Sequence, residues 1–228
     1  MVTPAPHSRA SNKTGLRDVV LVTGFDPFGG DVLNPSWLVA HALQRRRIVG
    51  HLVVAAQLPT QFGTSLERLR ALLAEHRPAL VICLGLAANR HALSLERVAI
   101  NVDDARIADN AGVQPIDTPV IARAPVAYFT GLPIKAMYEA LQTAGIEAEV
   151  SQTAGTFVCN HVFYGLMHHV ATTRGLARVR GGFIHVPPLP EQAPHGMPLE
   201  RMVAGLRIAV RVALTVTHDV RRGAGAID

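Results

Sequence analysis

Two cysteines in 228 residues, Cys83 and Cys159, are too few for a disulfide scaffold and point to a reducing compartment. No stretch reaches the roughly 18 consecutive apolar residues of a membrane span, so a soluble cytoplasmic protein without a membrane partner is expected. Charged residues make up only 17%, and 22 Lys+Arg against 17 Asp+Glu leaves a net charge of +5. That surplus permits an acidic partner, but the arginines are spread along the chain, which argues against nucleic-acid binding. The Gly-rich segment 24–30 has neither the dinucleotide glycine register nor the Walker Lys-Ser/Thr pair, so a phosphate cradle is a poor reading. No repeat at a solenoid period is present. What is present is 49% hydrophobic residues with 19 Gly and 15 Pro, enough to bury a core and shape a cleft. Residues 1–17 lack an apolar stretch of signal-peptide length and read as a flexible tail ahead of one domain, 18–228.

Apolar runs alternate with segments of helical spacing. Val19–Thr23, Leu52–Leu58, Ala79–Gly85, Leu93–Val102, Ala148–Thr153 and Gly182–Val186 read as strands. Pro35–Arg47, Phe62–His76, Ile134–Ala144, Cys159–Thr173 and Leu199–Val220 read as helices, with Arg45, Arg46 and Arg47 closing the first of them. Asp103–Asp117 reads as an exposed rim loop. The alternation predicts an α/β layer fold, its largely parallel sheet covered on both faces. Ligands in such sheets sit at strand carboxyl ends, which directs attention to the loops after Thr23, Gly85, Thr153 and Val186.

Cys159 follows Thr153-Ala154-Gly155-Thr156-Phe157-Val158 and opens a helix, where unpaired amides and the dipole favour a thiolate nucleophile. Cys83 lies inside an apolar strand and reads as a packed thiol. A cysteine nucleophile needs a base, and among 11 histidines His185 is the best placed, ending Gly181-Gly182-Phe183-Ile184 before Pro187-Pro188. His161, His168 and His169 have poor zinc spacing and read as solvated or packing residues. For the acid that orients the imidazole, Glu96, Asp103 and Asp104 remain open on spacing. Phe25 and Phe28, read as exposed on the first glycine loop, suggest a small apolar pocket for a flat neutral group.

Together these segments resemble the type I pyroglutamyl peptidase family, also called pyrrolidone-carboxylate peptidases. The carriers are VTGFDPFGGDVLNPSW (22–37), ERVAINVDDARIADN (96–110), TGLPIKAM (130–137), TAGTFVCNHVFYGLM (153–167) and RGGFIHVPPLPEQ (180–192). The resemblance implies a cysteine exopeptidase removing N-terminal pyroglutamate from peptides, without metal or organic cofactor, and a triad of Glu96, Cys159 and His185. It implies that Phe25, Phe28, Asn34, Thr60 and Phe157 surround the pyroglutamyl ring and that Arg106 assists at the oxyanion beside the Cys159 amide. The implied fold is a three-layer α/β/α sandwich on a twisted mixed sheet, assembled as a homotetramer. One departure touches the pocket: the family's usual Gly-Gln-Ala-Gly-Gly-Arg reads here Gly85-Leu86-Ala87-Ala88-Asn89-Arg90, and a leucine side chain cannot hydrogen-bond. Two alternatives follow, a binding homologue with slow turnover or, on fold alone, a phosphate-dependent nucleoside enzyme.

Overall fold

In the computed structural model, residues 17–225 are described. The expected tail therefore lies outside the described residues, except Arg17, which begins the first strand. In chain order the elements are β1 (Arg17–Phe25), α1 (Pro35–Ala42), β2 (Arg47–Ile48), β3 (His51–Leu58), α2 (Thr64–His76), β4 (Pro78–Leu86), β5 (Leu93–Glu96), β6 (Val98–Ile100), β7 (Ala127–Phe129), α3 (Ile134–Thr143), β8 (Ala148–Ser151), α4 (Val158–Thr172), β9 (Arg180–Val186) and α5 (Leu199–Thr215). Seven strands form one sheet in the order β2-β3-β1-β4-β9-β5-β8, and β6 pairs with β7 apart from it.

The central strands carry apolar residues on both faces because both faces are covered. Val20, Val22, Ile82, Leu84 and Ile184 pack with residues of α1, α3 and α5, including Val39, Met137 and Leu206. The alternate residues Leu21, Val81, Cys83 and Phe183 pack with α2 and α4 through Leu69, Val162 and Phe163. Two clusters on opposite faces of one sheet make the three-layer sandwich that the alternation predicts.

Strand direction is less uniform than expected. β3, β1, β4 and β9 run parallel, whereas β5 pairs antiparallel with β9 and parallel with β8. The loop after Thr153 therefore leaves β8 from the opposite strand end, and residues 152–157 carry the chain back to Cys159. The stretch 93–102 is two strands: at Arg97 the backbone switches partners, its N–H donating to Ser151 O and its C=O accepting from Thr130 N. The first helix stops at Ala42 instead of Arg47. Arg45 has φ 63°, and Arg45 N–H and Arg46 C=O both pair with Val53, so the three arginines turn the chain into β2. The closing helix stops at Thr215 because the Arg180 guanidinium takes the carbonyls of Ala213 and Val216. No described helix is long and apolar enough to cross a membrane.

Candidate active site

Glu96, Cys159 and His185 come together on the α4 side of the sheet, at the end of β9. In register, His185 lies beside Gly85 of β4 and opposite Ser94 of β5, so Glu96, two residues along on the same face of β5, comes within reach of the imidazole. His185 Nδ1–H donates to Glu96 Oε1 at 2.8 Å. Glu96 has no solvent exposure and His185 is 5% exposed. Cys159, in the first turn of α4, is half-buried. Its helix starts at Phe157 without a side-chain cap, which leaves first-turn amides for a ligand.

Burial alone would lower the His185 pKa. The Cys159 sulfur, as a charge and as a hydrogen-bond partner, and then Glu96 outweigh it and raise the value to about 9. The imidazole is thus an imidazolium at neutral pH, set between a sulfur and a carboxylate. Cys83 behaves oppositely, as a packed thiol should: burial pushes it up to about 12.

Gly85 makes the approach of the sulfur possible. A Cβ there would stand 2.7 Å from Cys159 Sγ and 2.9 Å from Phe183 Cζ, both below any tolerated contact. Gly85→Ala should displace the sulfur, lowering kcat about 100-fold, with a smaller change in KM; an arylamidase assay checks it.

Cys159 opens into a cavity of about 310 Å³ lined by residues that include Phe25, Phe28, Asn34, Thr60, Leu86 and Phe157. All five residues that the resemblance places around a ring thus line the cavity into which Cys159 opens. The two phenylalanines are not the exposed pair expected from sequence: Phe25 ends β1 and is 2% exposed, and Phe28 is half-buried. Phe28 and Phe157 pack as a tilted pair with centroids 5.2 Å apart and ring planes at 46°. Leu86, the departure noted above, is in the wall. Arg106 is exposed on the loop after β6 and is not among the residues lining the cavity.

The walls are held through Asp26, which sequence reasoning passed over. Asp26 accepts from Thr60 Oγ1 at 2.6 Å and Thr60 N at 2.7 Å, and its carbonyl accepts from Asn34 Nδ2 at 2.9 Å. Asn34 Oδ1 in turn caps α1 through Ser36 N. The Asn34 and Thr60 side chains are thus committed to holding the wall. Asn160, next to Cys159 and fully buried, bonds the backbone of Ile100 and Val102. Of the rival acids, Asp104 is exposed, and Asp103 accepts from His161 Nδ1 at 2.8 Å. Gly63 N–H donates to the other nitrogen of that ring, so both His161 nitrogens are taken up by structural bonds. His168 and His169 bond Tyr128 and Thr173. A buried Asn or Asp amid apolar residues was the one available signal for this frame, and it does not name a partner.

A half-buried cysteine at a helix start, a raised imidazole and a buried carboxylate, beside an apolar cavity on an α/β/α sandwich, define a cysteine hydrolase. The chain belongs to the pyroglutamyl peptidase family, whose model matches residues 18–216. It is 55% identical over 213 residues to the pyrrolidone-carboxylate peptidase of Cupriavidus pinatubonensis, covering 91% of this chain and 98% of the relative. To that of Bacillus cytotoxicus it is 52% identical over 206 residues, covering 88% and 95%. The crystal structure of pyroglutamyl peptidase I from Bacillus amyloliquefaciens superposes with a TM-score of 0.87 at 44% identity, covering 90% of this chain and 99% of that one.

Proposed function

We propose that this cysteine peptidase hydrolyses the bond that follows an N-terminal pyroglutamyl residue in peptides, with Cys159, His185 and Glu96 as its triad. The observation that carries the reading is the chemistry of the cavity beside Cys159. An aminopeptidase for ordinary N-termini needs an acid to hold the α-ammonium, yet the only charged residue of this lining is Asp31, itself exposed. An uncharged lactam suits such walls, its ring against Phe28 and Phe157 and its amide paired with backbone groups.

The Cys159 thiolate attacks the carbonyl joining pyroglutamate to the next residue. The oxyanion meets the free amides at the start of α4, each such donor contributing about 3 kcal/mol. His185 gives its Nε2 proton to the leaving nitrogen, the C–N bond breaks, and a thioester remains. His185 then takes a proton from water as its oxygen attacks, and collapse of the second intermediate breaks the C–S bond, releasing pyroglutamate and restoring the thiolate. Arg106 is proposed as a second oxyanion donor. Its loop is tied to the nucleophile's, since Asp104 N donates to Thr156 O at 2.9 Å and Thr156 Oγ1 to Asp104 O at 2.7 Å.

Wild-type enzyme should cleave pyroglutamyl arylamide and leave prolyl arylamide, which has the same ring with a charged amine and no ring carbonyl, essentially intact. Equal cleavage of both would overturn the substrate reading. Leu86 in the wall supports one variant of it, tight product binding with slow turnover, which calorimetry with pyroglutamate beside the same assay distinguishes. Two free cysteines support a reducing, cytoplasmic setting. Self-association into the homotetramer is supported by exposed Val126 and Phe129 and is read by light scattering.

The elevated pKa of His185 fixes the pH dependence. The group is protonated below about 9, so kcat/KM should hold through neutral pH and fall on an alkaline limb near that value. Glu96→Gln removes one cause of the elevation and should move the limb to lower pH, with a moderate loss of rate because the amide oxygen still orients the ring. The same elevation contributes folding stability in full below the unfolded value near 6.5 and loses it as pH rises through about 9.

A further inference from the structure

Resting on the triad reading above, we propose that Arg90 is a positioning residue, whose guanidinium locks the buried acid Glu96 to the loop that delivers Cys159. Arg90 sits in the β4–β5 connection, outside every role assigned so far. Its Nη1 donates to Glu96 Oε1 at 2.7 Å, and its Nη2 donates to the carbonyl of Thr153 at 3.1 Å. Thr153 begins the segment 153–158 that returns from β8 to the nucleophile. One planar fork thus fixes two chain segments whose separation sets the distance between acid and sulfur. The turn that carries Arg90 is itself anchored to the base: Arg90 N–H donates to Ala87 O, and Ala87 N–H to Val186 O, one residue beyond His185.

Glu96 depends on that contact more than its distance alone conveys. It is fully buried, and its second oxygen, Oε2, is buried without a hydrogen-bond partner. Both donors, His185 Nδ1–H and Arg90 Nη1–H, converge on Oε1, so the carboxylate orientation rests on that one oxygen. Charge leads to the same conclusion. During attack the site holds the Glu96 carboxylate, the Cys159 thiolate and the His185 imidazolium, a net −1 that a low-dielectric site disfavours. The Arg90 guanidinium, 28% exposed, brings the four-group cluster to zero while keeping water contact of its own. The other acid nearby, Glu149, is 45% exposed and 3.9 Å from Arg90 Nε, and its charge is largely met by solvent.

A positioning role predicts lost turnover with intact substrate binding. Arg90→Ala should lower kcat on pyroglutamyl arylamide about 10- to 100-fold while KM stays within about threefold, the range for removing a group that orients a reacting side chain. Alkylation of Cys159 by iodoacetamide at pH 7 should slow in parallel, a readout independent of substrate. Arg90→Lys keeps the charge but not the fork and should recover part of kcat. Millimolar guanidinium chloride should restore activity to Arg90→Ala but not to the double variant Arg90→Ala/Glu96→Gln, in which the target carboxylate is gone. An Arg90→Ala enzyme with wild-type kcat and alkylation rate overturns the proposal. So does a loss that neither lysine nor guanidinium relieves, since that is the mark of general destabilisation. Wild-type enzyme inert toward the arylamide would instead overturn the substrate reading, and the alkylation arm would still decide the role of Arg90.

Discussion

Cys159→Ala should abolish release of arylamine from pyroglutamyl arylamide, a fall of at least about 10⁴-fold, while the melting temperature changes little. The loss is this large because no neighbouring group can form the thioester in its place, and water attack keeps only what the oxyanion donors and the pocket provide. Stability is spared because the sulfur is half-buried at a helix start and leaves no closed cavity. The chain contains an internal control. Iodoacetamide should inactivate the wild type with one label per chain, and Cys159→Ala should take up none, because Cys83 is fully buried with its thiol pushed up to about 12. Activity surviving in Cys159→Ala would remove Cys159 from the mechanism, whereas labelling of Cys83 in the folded protein would overturn only the internal control.

His185→Ala should cost nearly as much, about 10³- to 10⁴-fold in kcat/KM, for two reasons acting at different steps. The leaving nitrogen loses its proton donor, and the water that attacks the thioester loses the base that takes its proton. The variant also strands Glu96, whose Oε1 would keep only Arg90 and whose Oε2 has no partner at all, so some loss of thermal stability is expected beside the loss of activity. Glu96→Gln marks the contrast. It keeps an oxygen to accept from His185 Nδ1–H and should therefore retain much more activity than either of these. If the three variants lost activity equally, orientation by Glu96 could not be separated from proton transfer by His185.

Much of this architecture was legible in the chain. The apolar run of β1, the continuous strand β4 and the helical spacing of α2 and α3 each fall within a few residues of the observed bounds. Burial on both faces of a central strand writes itself directly into hydrophobicity. The placement of Cys159 at a helix start and of His185 before a Pro-Pro stop was equally local, since a glycine turn and a missing N–H act over a few residues. The errors were of another kind. Leu93–Val102 read as one strand because apolarity continues across Arg97, while the hydrogen-bond partners change there. The first helix ran on too far because arginines propagate helical spacing well, and their pairing with Val53 is a contact outside the segment. The direction of β5 and β8 was invisible for the same reason: buried strands look alike whichever way they run.

By itself, the sequence determined the layered class of fold and singled out Cys159 and His185 as the candidate nucleophile and base, because each depends on residues within about ten positions along the chain. Among the three acids that spacing left open, tertiary structure shows which one meets the imidazole. Glu96 faces His185 only because β5 runs antiparallel to β9, whereas Asp103 is drawn to His161 and Asp104 to solvent. The Asp26 frame of the cavity and the bridge from Arg90 to Thr153 were decided the same way. A hydrogen bond is satisfied by geometry between segments 34 or 63 residues apart, and no periodicity in the chain encodes which donor will find which acceptor.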